Sequence, residues 1–348
     1  MIIRLGAGLL ALAVGAAKAD PIQSYDTYKS WLVACDNTLS CVAKGFDGDR
    51  DVRAEITLAR AAGTDGELTL RLASEAAFTI DQVAVDGKVV TLLHKDWKSE
   101  AGDVGSTFST NRLSVVRSLL AQIKDGSELS LGPGGAIPLN GLAASLLRMD
   151  ERQGRLGGTT ALLRRGRLPA SLVPDAPKAP TIPDRPLNAA LNPGEAEQLA
   201  ATVRSTQASL LTEEGCQDDR LAIEPDVYAL SDAQALVTLA CVMGAYQGSS
   251  IGFLVSRLHG SVERLKLPVP YQTNGSERVS GDFLTESSFE PETGRLSVSA
   301  RGRGLADCGM SATWSWDGNE FTLSELALQQ SCGGTEPGDW PTLFWSKS

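Results

Sequence analysis

The stretch ARGRGLADCGMSATWSWDGNEFTL, residues 300–323, concentrates the side chains of this sequence that could bind a ligand. Trp314 and Trp316 are two residues apart on a predicted strand, so their side chains share one face. On an exposed face the pair could stack on sugar rings or anchor a protein partner. In a core it would fill a small disulfide-linked sheet, and burial is favoured because most large aromatic side chains are largely buried.

Arg301, Arg303 and Asp307 lie just before Cys308, in a segment rich in glycine. The arginines could bind an anion, or they could pair with the aspartate and hold a tight bend. The structural role is favoured. With Trp314 and Trp316, these three residues form the predicted ligand-binding or partner-binding set.

Catalytic signals are few. GSSIG, residues 248–252, fits G-x-S-x-G with Ser250 at its centre. A nucleophile there needs a strand-to-helix elbow followed by an acid and a histidine. The next segment instead resembles a strand, and His259 follows with no acid between, so a hairpin turn is predicted. No catalytic residue is assigned, and whether the protein is an enzyme is left open.

No metal site and no cofactor are predicted. The sequence has two histidines, His94 and His259, and no C-x-x-C motif. Its six cysteines are even in number and fall into three local pairs, although six cysteines allow fifteen pairings. Nearest-neighbour disulfides are predicted: Cys35–Cys41, Cys216–Cys241 and Cys308–Cys332.

The N-terminus predicts export. Arg4, an apolar run from Leu5 to Ala17 and the A-x-A sequence at 17–19 form a signal-peptide pattern over residues 1–19, with cleavage between Ala19 and Asp20. The run is too short to span a bilayer, so no transmembrane anchor is expected after cleavage. Disulfides persist in oxidising compartments, and the predicted location is the periplasm.

The balance of charge argues against nucleic acid as a partner. The whole chain carries −10, and loss of Arg4 and Lys18 with the signal peptide leaves 30 basic and 42 acidic groups, a charge of −12. A charge of that sign repels phosphate backbones.

A proline-rich segment divides the chain. Seven of the sixteen prolines lie in residues 168–193, a density that favours an extended connector. We therefore predict an N-terminal α+β domain at 20–168, a linker at 169–193 and a disulfide-linked, β-rich C-terminal domain at 194–348. The fold class is α+β and strand-rich, with antiparallel sheets and a few helices.

Local patterns predict individual elements. Alternation on both sides of Asp86-Gly87, and again of Asp317-Gly318, predicts two hairpins. TTALLRR, residues 159–165, is predicted as a closing strand, and a helix beginning after Asn192 is predicted to run to about Leu211.

Three blocks resemble a bacterial family of exported proteins known as domain-of-unknown-function family 1176. The blocks are YKSWLVACDNTLSCVAKGF at 28–46, LLRMDERQGRLGGTTALLRRG at 146–166, and RGRGLADCGMSATWSWDGNEFTL with the later SCGG and WPTLFW. The resemblance implies export and a variable linker, and it implies no reaction. The predicted function is a cell-envelope binding or interaction protein whose partner is an envelope protein or a glycan. The alternatives are a hydrolase of envelope polymers or esters, and an inhibitor of an envelope-attacking enzyme.

Overall fold

The computed structural model describes residues 21–100, 105–275 and 278–348. The predicted signal peptide and its cleavage point at Ala19 and Asp20 lie outside these residues. Within them the chain forms four antiparallel sheets and a few helices, so the predicted strand-rich α+β class is confirmed.

The N-terminal half forms two of the sheets. Its strands are β1 (Ser24–Tyr28), β2 (Trp31–Cys35), β3 (Cys41–Phe46), β4 (Ala54–Arg60), β5 (Leu68–Ser74), β6 (Val83–Val85), β7 (Lys88–Val89), β8 (Lys98–Glu100), β9 (Ser106–Thr110), β10 (Glu128–Leu131) and β11 (Ala136–Pro138). Sheet 1 has the order β1-β2-β3-β4-β5-β9-β8, and sheet 2 has the order β11-β10-β6-β7. Its helices are α1 (Leu113–Ile123) and α2 (Leu142–Arg152).

The C-terminal half forms the other two sheets. Its helices are α3 (Glu195–Thr206), α4 (Ala208–Glu213) and α5 (Asp218–Leu221). Its strands are β12 (Asp226–Ala229), β13 (Gln234–Met243), β14 (Gly248–Ser256), β15 (Val262–Arg264), β16 (Leu284–Thr285), β17 (Ser288–Glu290), β18 (Arg295–Arg301), β19 (Gly309–Trp316), β20 (Phe321–Gln329) and β21 (Thr342–Trp345). Sheet 3 has the order β12-β13-β14-β15, with β16 also on β14, and sheet 4 runs from β17 to β21 in sequence order.

Sheet 1 buries different residues on its two faces because side chains alternate along a strand. One face packs with α1, α2 and sheet 2 in a first apolar cluster that includes Trp31, Ile56 and Leu70. From the other face, Tyr25, Leu32, Ala34 and Phe46 enter a second cluster, whose remaining buried members come from the C-terminal half. Sheet 1 therefore contributes to two cores.

A glycine makes room for a buried tryptophan of the first cluster. Gly45 lies directly opposite Trp31 in the β2–β3 pairing. The Trp31 indole is buried, and its Nε1–H donates to the Pro138 carbonyl oxygen at 2.9 Å. A Cβ on residue 45 would lie 2.3 Å from Trp31 Cε2, closer than two carbon atoms can approach.

We expect Gly45→Ala to lower the free energy of unfolding by about 1–3 kcal/mol, because the added methyl forces Trp31 from its position. Urea denaturation of the wild type and the variant measures the change. Gly304→Ala is a positional control because a Cβ there meets only Tyr246 Cδ1, at 3.9 Å, and its φ is not positive. Equal stability of Gly45→Ala and the wild type would contradict the packing described for Trp31.

Sheets 3 and 4 enclose the second apolar cluster between them. It includes Leu236 and Leu265 from the side of sheet 3 and Trp314 and Leu326 from sheet 4. The opposite face of sheet 3 is covered by α3 and α4 in a third cluster, which includes Val203 and Phe253. Sheet 4 is thus buried on one face, and its other face carries hydroxyl-bearing residues of intermediate or full exposure, such as Ser297 and Ser299.

The proline-rich segment runs along one end of sheet 4. The amide of Ile182 donates to Lys347 O, that of Arg185 to Thr293 O and that of Leu187 to Pro291 O. These contacts fix its path across the ends of several strands. The division into domains at 20–168, 169–193 and 194–348 stays a prediction.

Two local predictions are wrong. Residues 159–165 form no strand, because side chains satisfy their backbone instead: the buried carboxylate of Asp150 accepts the Leu162 amide at 2.7 Å, and Arg117 donates to Ala161 O. The helix predicted to reach Leu211 is interrupted at Gln207, which separates α3 from α4. The hairpins at Asp86-Gly87 and Asp317-Gly318 are confirmed.

Candidate functional site

The two tryptophans singled out in the sequence belong to the core. Trp314 and Trp316 are 0% and 1% exposed, in the cluster between sheets 3 and 4. The Trp314 indole N–H donates to Pro268 O at 2.9 Å, and the Trp316 ring lies 5.1 Å from that of Phe321. The favoured interpretation, burial, is confirmed. The alternative of an exposed stacking pair is wrong, because neither indole presents a face to solvent.

The charged residues of the predicted set connect neighbouring loops. Arg303 donates from Nε to Asp307 Oδ1 at 2.8 Å, and this hydrogen bond holds the pKa of the Asp307 carboxyl below its usual range. Arg301 lies 5.4 Å above the Tyr246 ring and donates to the Tyr246 carbonyl. These contacts fit the structural role favoured for them. Whether the residues also bind a partner stays a prediction.

The structure contains the three nearest-neighbour disulfides, Cys35–Cys41, Cys216–Cys241 and Cys308–Cys332. Among the described residues, the one group of side chains spaced to ligate a metal is Asp307, Cys308 and Cys332. Both sulfurs of that group are joined to each other, so they are not thiolates that could bind a metal.

Ser250 does not occupy a nucleophile elbow. It lies inside β14, where it pairs with Ala240 of β13 and Leu284 of β16. The turn does not lie at residues 248–252 as predicted, because these belong to β14; it lies at 244–247, where the Gly244 amide donates to Gln247 O. A serine in the middle of a paired strand lacks the sharp bend that exposes a catalytic hydroxyl.

An exposed tryptophan that the sequence did not single out forms the centre of a different site. Trp345, in β21, is 36% exposed at the edge of sheet 4. The Asn37 side chain makes two hydrogen bonds with the backbone of Trp345: Asn37 Nδ2 donates to Trp345 O at 2.9 Å, and Trp345 N donates to Asn37 Oδ1 at 3.0 Å. The indole Nε1–H donates to Asp36 Oδ2 at 3.2 Å. One loop therefore fixes both the main chain and the ring.

That loop is itself rigid. It comprises residues 36–40, between the disulfide-linked cysteines 35 and 41, and we call it the 36–40 loop. Oδ1 of Asp36 accepts the Thr38 amide at 2.7 Å, the Thr38 hydroxyl at 2.8 Å and the Ser40 amide at 2.9 Å. Asp36, Asn37 and Thr38 are buried. The orientation of Trp345 is thus set before any ligand arrives.

Burial dominates the electrostatics of this loop. Desolvation raises the pKa of the Asp36 carboxyl, and the hydrogen bonds from Thr38, Ser40 and Trp345 oppose the shift. Those bonds are made to a carboxylate with two acceptor oxygens. An amide in its place would offer a donor where the Trp345 indole needs an acceptor.

Trp345 ends a row of polar residues on the outer face of sheet 4. Ser297 pairs with Thr313, Thr313 with Glu325, and Glu325 with Trp345, so one residue from each of β18 to β21 lies directly opposite the next. We call these four residues the outer row. Neighbouring strands are about 4.8 Å apart, so the row extends for about 14 Å.

The outer row lines a trough of about 350 Å³. The next row along the strands has small side chains, Ser311 and Ala327, which leave the space open. The Ser297 and Thr313 hydroxyls are 3.2 Å apart, and the Glu325 carboxylate is 3.6 Å from Arg295. The trough offers hydroxyls, a carboxylate and an indole face at one surface.

A second polar cavity, of about 390 Å³, lies where the two halves of the chain meet. Lys44 of β3 is buried, and its ammonium lies 3.0 Å from Asp339 and 3.7 Å from the buried Glu55. Arg71 lies 3.2 Å from Glu55 and also pairs with Glu336. These ion pairs satisfy one another, so the cluster fits a structural junction better than a ligand site.

Both parts of the Trp345 site are present as motifs in the sequence, but their separation along the chain gives no indication that they are in contact. Asp36 and Asn37 stand between two cysteines, and Trp345 lies more than 300 residues away in the closing WPTLFW. Each motif was visible, but only the fold brings them together.

Comparison with known proteins gives a family without a role. The family described as "Protein of unknown function (DUF1176)" matches residues 25–347. "Uncharacterized protein YpfG" of Escherichia coli (strain K12) is similar, with 30% identity over 330 residues that cover 91% of each chain. No solved structure matches the chain.

The described residues include no helix that is long and apolar enough to cross a membrane. The three disulfides fit an oxidising compartment outside the cytoplasm.

Proposed function

The chain belongs to the family described as protein of unknown function (DUF1176), and from that premise we propose that it is an exported binding protein of the cell envelope that holds a glycan against Trp345. The observation that carries the proposal is the exposed indole of Trp345 at the end of the outer row: its Nε1–H donates to Asp36 of the 36–40 loop, and its backbone makes two hydrogen bonds with Asn37 of the same loop.

The chemistry of the site matches that of a sugar. A pyranose ring has an apolar face of C–H groups and an equator of hydroxyls. An indole face packs against the former, and Tyr and Trp are enriched where one side of a contact is apolar and the other is polar. Ser297, Thr313 and Glu325 provide acceptors and donors for the latter.

Preorganisation favours binding over a purely structural role for this ring. Fixing a side chain before the ligand arrives removes the entropy that binding would otherwise cost. A tryptophan held only for packing would be buried, as Trp314 and Trp316 are. Trp345 is instead held by hydrogen bonds with 36% of its surface exposed.

The envelope location rests on two supports. Residues 1–19 have the pattern of a signal peptide, and three disulfides require an oxidising compartment to persist. In a bacterial cell the periplasm supplies both that environment and glycan polymers as ligands. Cosedimentation with such polymers is therefore the natural first assay.

We expect the mature protein to cosediment with purified peptidoglycan or another envelope polysaccharide. Trp345→Ala should weaken that binding by about 30-fold or more, because a central aromatic anchor contributes about 2 kcal/mol or more. Trp345→Phe should retain part of the affinity, since a ring face remains. The fraction of protein in the pellet, measured against polymer concentration, gives the dissociation constants.

The matched control is Leu258→Ala, which removes another exposed apolar side chain, 68% exposed, from a turn of sheet 3. It should bind as the wild type does. Equal binding by Trp345→Ala and Leu258→Ala would contradict the proposal, as would failure of the wild type to bind any envelope glycan.

A further inference from the structure

A large groove lies between sheets 3 and 4. It has a volume of about 1020 Å³. Its floor is apolar, with Leu265, Phe321 and Leu323 each 5% exposed and Leu254 and Phe344 partly buried. Residues 263–266 form one wall, and the beginning of β20 forms the other.

The wall formed by residues 263–266 is the edge of a sheet. β15 pairs with β14 on one side, and the Leu265 amide donates to Gly252 O. In an antiparallel ladder the backbone groups of alternate residues point to opposite sides. The N–H and C=O groups of Arg264 and Lys266 therefore point away from β14.

Pro268 is the next residue in the same alternation, and its carbonyl oxygen accepts the Trp314 indole N–H at 2.9 Å. That bond closes the gap between the segment and sheet 4 at residue 268. At residues 264 and 266 the gap is open and forms the groove.

The rim of the groove carries charged residues of both signs. Glu263 pairs with Leu254, so it lies on the side of the cluster between sheets 3 and 4. Glu320, at the start of β20, also lines the groove, and both glutamates are exposed. Arg264 and Lys266 also line the groove, but Arg264 pairs with Glu214, which leaves two glutamates against one exposed lysine.

We propose that this groove binds an extended, basic peptide segment of a partner protein, which adds a strand to the free edge of β15. Backbone hydrogen bonds to residues 264 and 266 provide affinity, and alternate side chains enter the groove. A lysine or arginine entering it lays its aliphatic stem on Leu265 and Phe321 and brings its charge to Glu263 and Glu320. The net charge of −10 favours a basic partner over an acidic one.

A proline at the edge tests the mode of binding. Lys266→Pro removes one of the two amides, those of residues 264 and 266, that would donate to the guest strand and leaves the ladder between β14 and β15 intact. Lys266→Ala keeps that amide and is the matched control for loss of the side chain. Glu263→Gln with Glu320→Gln removes the acidic rim without altering the edge.

The probe is a fluorescein-labelled peptide of alternating valine and lysine, with the same peptide carrying glutamate for lysine as its counterpart. Fluorescence anisotropy should show binding of the lysine peptide to the wild type and to Lys266→Ala. Lys266→Pro and the double glutamine variant should each weaken it by about tenfold. The glutamate peptide should not bind.

Equal affinity of Lys266→Pro and Lys266→Ala would overturn strand addition. Equal affinity for the two peptides would overturn the basic preference. The protein could instead self-associate and bind no peptide. If Lys266→Pro abolishes that self-association, the edge binds a second copy of this chain and the proposal is overturned. If Lys266→Pro does not fold, as judged by circular dichroism, the double glutamine variant and the glutamate peptide still decide it.

Discussion

Replacing Lys44 with methionine is expected to lower the free energy of unfolding by about 3 kcal/mol. The change removes the cation beside Glu55, which is 1% exposed, and leaves a buried carboxylate oxygen without its partner. Breaking a buried ion pair on one side costs about 3–5 kcal/mol, and Arg71, still paired with Glu55, places this case at the lower end. Urea denaturation followed by circular dichroism measures the effect.

Lys124→Met is the matched control, because Lys124 pairs with Asp125 on the exposed surface. Exposed pairs contribute about 0–1 kcal/mol, so this variant should remain close to the wild type. Adding Glu55→Gln to Lys44→Met should recover part of the loss, since the uncompensated charge is then removed. Equal stability of Lys44→Met and Lys124→Met would contradict the junction described between the two halves.

The second large effect is expected from the Cys308–Cys332 disulfide. Its partners are 24 residues apart, and removing a cross-link that closes a loop of this size costs about 3.5 kcal/mol through the entropy of the unfolded chain. Replacing both cysteines with alanine should therefore lower the denaturation midpoint substantially. Comparison with the wild type under non-reducing conditions gives the magnitude.

Removal of the Cys35–Cys41 disulfide distinguishes an effect on stability from an effect on glycan binding. Its partners are 6 residues apart, so the same argument gives a smaller loss of about 2.3 kcal/mol for the double alanine variant. That variant should nevertheless lose more glycan affinity than the Cys308/Cys332 variant, because it loosens the 36–40 loop beneath Trp345. A Cys308/Cys332 variant less destabilised than the Cys35/Cys41 variant would contradict the loop-length argument.

Much of the architecture could be predicted because it is encoded locally. Asp-Gly pairs at 86–87 and 317–318 set hairpins through backbone conformations that few residues adopt, and alternation on either side set the strands. The nearest-neighbour disulfides follow the same logic, since Cys35 and Cys41 are direct partners across one hairpin. Short runs of alternating apolar and polar residues were enough to predict the strand-rich α+β fold class.

Residues whose roles depend on distant contacts could not be predicted. Nothing near residues 159–165 in the sequence shows that Asp150 and Arg117 bind their backbone in place of a strand partner. Trp345 is held by Asp36 and Asn37 from the other end of the chain, and no periodicity relates them. Alternation did place Trp314 and Trp316 on one face, but only the packing of sheets 3 and 4 decides that this face is inside.

The two proposed sites lie on different surfaces of the C-terminal half. The glycan site is on the outer face of sheet 4, and the peptide groove lies between sheets 3 and 4. Envelope polymers and envelope proteins could thus be held at once by a single chain. Because the Trp345 and Lys266 variants alter separate surfaces, each should leave the other activity unchanged.

Saturation-transfer difference NMR on the mature protein with soluble glycan fragments tests directly whether Trp345 is a glycan platform. Saturation of the protein should pass to the ring C–H protons of the sugar in the wild type, and Asp36→Asn, which removes the acceptor for the indole, should weaken the transfer. Trp345→Ala, with an unchanged circular dichroism spectrum, should abolish it. Transfer that persists in Trp345→Ala at wild-type strength would contradict the assignment of Trp345 as the glycan platform.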